Sequence, residues 1–152
     1  MKSEKKQNRY QRLFTQISKL IDDSSNNEMS NMATIIAVLH HKMDYFFWTG
    51  FYLLHNKKLQ VGPYQGSLAC INLKKDNGVC WSAINQKKIV VVDDVRKFPN
   101  HIACDSRSLS EIVIPIKDKA SNIIGVMDVD SSELNSFDEV DKYWLDKIVK
   151  LI

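Results

Sequence analysis

The sequence predicts an α+β fold in one domain, a mainly antiparallel sheet that carries helices. Apolar residues recur at helical spacing near both ends of the chain, short strand-like apolar runs fill the middle, and two pairs of those runs are joined by tight polar turns. A chain of 152 residues suits one domain and is too short for two comfortable ones. No internal repeat or linker interrupts it, so residues 1–152 are expected to form a single domain, with 1–9 a flexible basic N-terminus.

Tyr10, Leu13, Phe14, Ile17, Leu20 and Ile21 form one apolar stripe on a helix at 10–21. DDSSNN (22–27) breaks it and supplies cap candidates, and a second helix follows at about 28–43. YFFWTGFYLL (45–54) is aromatic on both alternating faces. Phe46, Trp48 and Tyr52 fall on one side, Phe47, Phe51 and Leu53 on the other, as in a strand buried on both faces. HNKK turns the chain into a second strand at 58–64, after which Gly62, Pro63, Gln65 and Gly66 break the regular pattern. A KKDNG turn precedes a short helix over VCWSAI, and IVVV (89–92) is a core strand.

Residues 93–110, DDVRKFPNHIACDSRSLS, have no sustained period, and a loop of that length inside a compact domain usually carries function. EIVIPI and NIIGVMDVDS pair as a hairpin around DKAS. Ser136 followed by Glu139 reads as a capping box opening the last helix, which is expected to pack with the first helices on one face.

The composition, 44% hydrophobic and 26% charged, is that of an ordinary globular protein. No apolar run approaches the ~20 residues that cross a bilayer, and the basic start lacks an apolar signal core, so no membrane role and a cytoplasmic location are expected. The net charge of +3 comes from the first nineteen residues, without the interleaved aromatics that stack bases, so nucleic acid is not expected as a partner. The first helix's stripe is expected to pack within the chain, with a homodimer through it left open.

Cys70, Cys80 and Cys104 are too few, and odd in number, for a secreted disulfide framework, and they lack zinc-finger spacing. A zinc set of Cys70, Cys80, His101 and Cys104 would need long gaps between ligands, so no metal is expected. Inert core residues or reactive thiols remain as readings.

Asp128 and Asp130 alternate with Met127 and Val129, so both carboxylates point to one face of a strand, about 7 Å apart along it. Asp130 could simply start a turn. Asp128 follows IIGVM in an interior strand, where an unpaired carboxylate costs several kcal/mol. It should be paired or face a wet cavity that receives a cation. Glu111 opens the neighbouring strand, so three acids gather near one end of two strands. Such a trio can hold an ammonium, and one member kept protonated by its neighbours can act as an acid. Cys104 lies in the irregular loop leading to Glu111, where His101 or backbone donors could ionise it. Trp48, Tyr52 and Tyr64 could wall the same site.

WTGFYLL, VGPYQGSLACINL, NGVCWSA, VVDDVRKFPNHIACDSRSLSEIVIPI and IGVMDVDS, in this order, resemble the free methionine-(R)-sulfoxide reductase family of GAF-domain enzymes. The resemblance covers about residues 30 to 150 and includes all three cysteines. It implies a GAF-like single domain with a six-stranded, mainly antiparallel sheet and a small enclosed pocket. It also implies reduction of free methionine (R)-sulfoxide, with no bound cofactor and with electrons from thioredoxin, driven by NADPH. Carried over, Cys104 is the nucleophile, Cys70 the resolving thiol and Cys80 an auxiliary or second resolving thiol. Glu111, Asp128 and Asp130 are substrate-binding groups, and Trp48 is an aromatic wall. Which cysteine pair forms first, and which carboxylate carries the proton, stay open. Two residues depart from the family pattern: Phe47 replaces a usual Asn, and Trp81 replaces a usual Gly beside Cys80. Rival readings are a non-catalytic GAF-type sensor of a small ligand and a cysteine-based redox switch.

Overall fold

Alternation of apolar side chains along β-strands, and their recurrence every three to four residues along helices, dictate which faces can be buried. The computed structural model describes residues 3–21, 27–101 and 103–152. The order is α1 (Ser3–Leu20), α2 (Glu28–Lys42), β1 (Trp48–His55), β2 (Lys58–Gln65), β3 (Asn72–Leu73), α3 (Gly78–Gln86) and β4 (Val90–Val92). A 3-10 turn at Val95–Lys97, β5 (Ser110–Lys117), β6 (Ile123–Ser131) and α4 (Glu139–Val149) complete it. The six strands form one antiparallel sheet in the order β3-β2-β1-β6-β5-β4. Both expected hairpin turns are present; Asn56 and Lys57 adopt positive φ at the first, the twist that two-residue hairpin turns require.

One sheet face packs against α1, α2 and α4 and holds the larger core. The stripe of α1 is used inside the chain: Tyr10 and Ile17 are fully buried in that core. The other face carries α3 and a smaller cluster around Trp48, Tyr52 and Val113. Among the described residues no helix is long and apolar enough to cross a membrane.

Four details differ from the sequence expectations. Residues 3–9 are not a flexible tail but the first two turns of α1. Lys6, 3% exposed, donates to Asp141 Oδ2 at 2.6 Å, Asp138 Oδ2 at 2.9 Å and the Ser136 carbonyl at 3.1 Å. Tyr10 donates to Asp141 Oδ1 at 2.7 Å and Tyr45 to the same oxygen at 2.5 Å, so the buried ammonium and carboxylate are both satisfied. The capping box of α4 is Asp138 with Asp141, two residues beyond the expected one, because Ser136 spends its hydroxyl on Ser131 and Glu133.

β2 does not stop at Gly62: Tyr52 pairs with Val61 and Gly50 with Tyr64, so Gly62 and Pro63 bulge opposite Phe51. A proline is tolerated at such a bulge, and β3 pairs with β2 only through Leu59 and Gln60. Finally, β1 begins at Trp48, so strand alternation does not extend back to Phe46, which joins the helix-side core, while Phe47 packs on the other cluster. Of the cap candidates at 22–27, Asn27 caps α2 by accepting from Ser30 N at 3.1 Å; residues 22–26 lie outside the described residues.

Candidate active site

The period of two in β1, β5 and β6 sends one set of side chains toward α3, and the register brings the chemistry-bearing members of that set together. Trp48 pairs with Asp130 and Asp130 with Glu111, three strands in one row; one step along, Gly50 pairs with Asp128 and Asp128 with Val113. The expected acidic trio thus faces one hollow of ≈ 580 Å³, open mouth included. Cys80 on α3 borders it, with His101 and Cys104 from the 93–109 loop and Ala69 beside Cys70.

Glu111 and Asp128 are buried, 5% and 6% exposed, and Asp128 Oδ1 has no hydrogen-bond partner among the described residues. Burial raises the pKa of all three acids well above the ordinary carboxylate range. Asp130 adds its repulsion to Glu111, Glu111 to Asp128 and Asp128 to Asp130, while the Ser108 side chain partly offsets the last. Asp130 is the more open of the three, half-buried at its end of the row. His101 Nε2 lies 3.5 Å from Glu111 Oε2, and burial lowers the imidazole's pKa. His101, considered in the sequence as the group that ionises Cys104, stands beside Glu111.

Cys80 sits in the first turn of α3, a position that ordinarily favours a thiolate. Here burial and the neighbouring Asp128 and Glu111 win, raising its pKa well above that of a free thiol. Cys70 and Cys104 are joined by a disulfide, with Cα atoms 5.6 Å apart and a separation of 34 positions in sequence. That bond ties the loop after β2 to the loop before β5. Cys104 lies at the exposed rim, whereas Cys80 is sealed and free. The zinc set weighed in the sequence is therefore not assembled, since two of its thiols are bonded to each other. The compact donor set is another: one atom each from Cys80, Glu111 and Asp128, all within 4.8 Å of one another.

The 93–109 loop owes its shape to backbone anchors. Asp94 caps the 3-10 turn, Val95 N donates to the Leu109 carbonyl, and Leu109 N donates to the Ser131 carbonyl at 2.8 Å. Ile102 lies outside the described residues. Asp105 holds Arg107 through two contacts, 2.6 and 3.0 Å, and the guanidinium covers the Phe47 ring at 5.0 Å. Phe47 thereby braces the loop bearing Cys104. Trp81 is buried and donates to the Leu73 carbonyl at 3.2 Å, pinning α3 to β3. The bulky residue beside Cys80 is an anchor for that segment.

Trp48 stacks between Tyr52 and Tyr64, centroids 5.7 and 5.3 Å away, and donates to the Ser67 carbonyl at 3.0 Å. Two glycines make room for the indole. A Cβ on Gly50 would come within 2.4 Å of it, and one on Gly66, already at φ +124, within 2.8 Å. Ser108, Asp105 and Leu68 also line the hollow and were not singled out in the sequence. Ser108 and Asp105 flank the chosen Cys104 and Glu111 in a polar loop, where no period reveals which side chains turn inward.

Residues 32–152 match the GAF domain family. The chain is 47% identical to "GAF domain-containing protein A" of Dictyostelium discoideum, over 97% of this chain and 92% of that one. It is 38% identical to the free methionine-R-sulfoxide reductase of Escherichia coli, over 80% of this chain and 73% of that one. The structure superposes on the free methionine-R-sulfoxide reductase of Neisseria meningitidis in complex with its substrate with a TM-score of 0.87. That pair is 39% identical and covers 93% of this chain and 84% of the other.

Proposed function

This chain belongs to the GAF-domain family of free methionine-R-sulfoxide reductases, and from that premise we propose that it reduces free methionine (R)-sulfoxide to methionine. The single observation that carries the reading is a cysteine pair at the mouth of a buried acidic hollow.

A sulfoxide sulfur becomes electrophilic when its oxygen is protonated, and the acidic trio is the proton source. The thiolate of reduced Cys104 attacks the sulfur as the S–O bond breaks and the protonated oxygen leaves as water. A water molecule then attacks Cys104 Sγ, the new S–S bond breaks, and methionine departs to leave Cys104 as a sulfenic acid. The Cys70 thiol condenses with it, releasing water and forming the disulfide, with Cys80 the auxiliary thiol. Thioredoxin, driven by NADPH, reopens the disulfide by exchange, its own dithiol being oxidised as the pair is reduced. No bound cofactor enters the cycle, and such recycling fits the cytoplasm. Glu111, Asp128 and Asp130 grip the α-ammonium that a peptide-bound methionine lacks, and Trp48 walls the side chain.

Separated R and S sulfoxides of free methionine, assayed for NADPH consumption with thioredoxin and its reductase, test this. The R isomer turns over and the S isomer does not; equal rates, or none, sink the reading. The partner arm uses Ile71, an exposed apolar side chain (69%) next to Cys70, with Leu68 (85%) on the other side. Such a rim suits the apolar surface of a protein dithiol. Ile71→Ser slows thioredoxin-driven turnover severalfold and leaves turnover driven by a small dithiol unchanged.

Asp128→Asn has opposite effects on binding and on stability. The bound ammonium draws the proton off Asp128, and losing that one charge of a buried pair costs about 2–5 kcal/mol, so KM for the R isomer rises tenfold or more. Below the unfolded carboxyl pKa of about 3.9, both states keep the Asp128 proton and the group costs nothing. Above it only the unfolded chain releases the proton, so stability falls as pH climbs toward the raised native pKa. The amide removes that loss. The ligand-free variant therefore melts higher than the parent at neutral pH, by about 2–4 °C per kcal/mol, and no higher at pH ~3. A parallel pH–Tm curve for parent and variant counts against the assignment.

A further inference from the structure

Cys80 is the one buried thiol that the main Cys104–Cys70 cycle leaves free. It shares the floor of the hollow with Glu111 and Asp128, and Asp128 Oδ1 is buried without a hydrogen-bond partner among the described residues. Each of the three residues is at most 6% exposed. A soft sulfur and one oxygen from each of two buried carboxylates, all within 4.8 Å of one another, form a mixed donor set.

We propose that Cys80, Glu111 and Asp128 form a binding site for a borderline-soft divalent transition-metal ion, of which Zn²⁺ and Co²⁺ are representatives, at the floor of the hollow. Calcium and magnesium prefer six or more oxygen ligands and fit a thiol poorly. Thiolate with carboxylate suits the later first-row ions. Metal–sulfur and metal–oxygen bonds of about 2.3 and 2.0–2.2 Å place tetrahedral donors roughly 3.5 Å apart. Side-chain rotation by about an ångström closes the set. His101 Nε2, 3.5 Å from Glu111 Oε2, can hold that carboxylate in place. Three protein donors leave a fourth tetrahedral position for water.

The ion enters as the thiol and the carboxyls give their protons to solvent, so its affinity rises with pH. The other titratable groups lining the hollow are Asp130 on β6, Tyr52 on β1, and His101 and Asp105 on the loop. An ion seated there replaces the positive charge that the acids would otherwise give to a substrate ammonium. That competition rests on the reductase reading; the binding itself does not.

The test uses the full chain in its disulfide form, where Cys80 is the only thiol able to ligate. Titration with Co²⁺ should fill one site per chain and raise a near-ultraviolet thiolate-to-cobalt charge-transfer band, which Zn²⁺ abolishes by displacement. Cys80→Ser should lose the band, and Asp128→Asn should keep it with affinity at least tenfold weaker; thermal melts report whether each variant is folded. Cobalt binding without the band, or a band that survives in Cys80→Ser, overturns the site. The titration needs no turnover. A chain that binds cobalt this way and ignores methionine sulfoxide would overturn the reductase reading alone, and the converse result the metal site alone.

Discussion

Cys104→Ser reduces turnover of free methionine (R)-sulfoxide to background, a loss of about a thousandfold or more, because a serine hydroxyl without an adjacent base is a poor nucleophile beside a thiolate. The comparison must use reduced parent protein, since the variant also lacks the Cys70–Cys104 bond. In the chain-entropy picture that bond, spanning 34 residues, is worth about 3–4.7 kcal/mol in the oxidised parent. Cys70→Ser separates the two roles: with no reductant present it still yields methionine once, because the sulfenic acid forms before any second thiol is needed. Activity retained in Cys104→Ser would remove the nucleophile from the scheme.

Asp141→Ala produces the largest loss of stability, about 3–5 kcal/mol, because it strands the Lys6 ammonium in the core with one partner gone. Tyr10 and Tyr45 lose their shared acceptor in the same step. At about 2–4 °C per kcal/mol for a chain of this size, the melting point falls by roughly 6–20 °C. Replacing both charges, Lys6→Met with Asp141→Leu, recovers much of the loss, since an apolar pair needs no hydrogen bonds. Denaturant unfolding of the single and double variants measures this, and equal losses in both would contradict it. The cluster ties α1 to α4 on the sheet face opposite the hollow, so KM for the sulfoxide stays at the parent value in the folded fraction.

Much of the fold could be read from side-chain periodicity, a local property. Alternation through VMDVD places Asp128 and Asp130 on one face whatever strand lies beside them, and the stripe of α1 needs only the helical repeat. The aperiodic run ending at Glu111 marked the loop that carries Cys104. Where strand alternation was carried past the strand's real start, Phe46 and Phe47 went to the wrong sides. The same local reading failed for β2, because a bulge absorbs a glycine and a proline that otherwise end a strand.

Lys6 is the plainest case of what local pattern cannot show. In a run of basic residues nothing distinguishes it from Lys5, and its partner is 135 positions away. The sequence by itself determined the α+β class, the order of the elements apart from the two-residue β3, and the presence of three acids and three thiols near one end of the sheet; resemblance supplied the sixth strand and the expected roles. Only the tertiary structure decided that Trp48, Asp130 and Glu111 share one row, that Cys70 and Cys104 meet at the rim, and that Cys80 stays sealed among acids. The reason is physical: periodicity says which way a side chain points, whereas strand register and loop closure say what it meets.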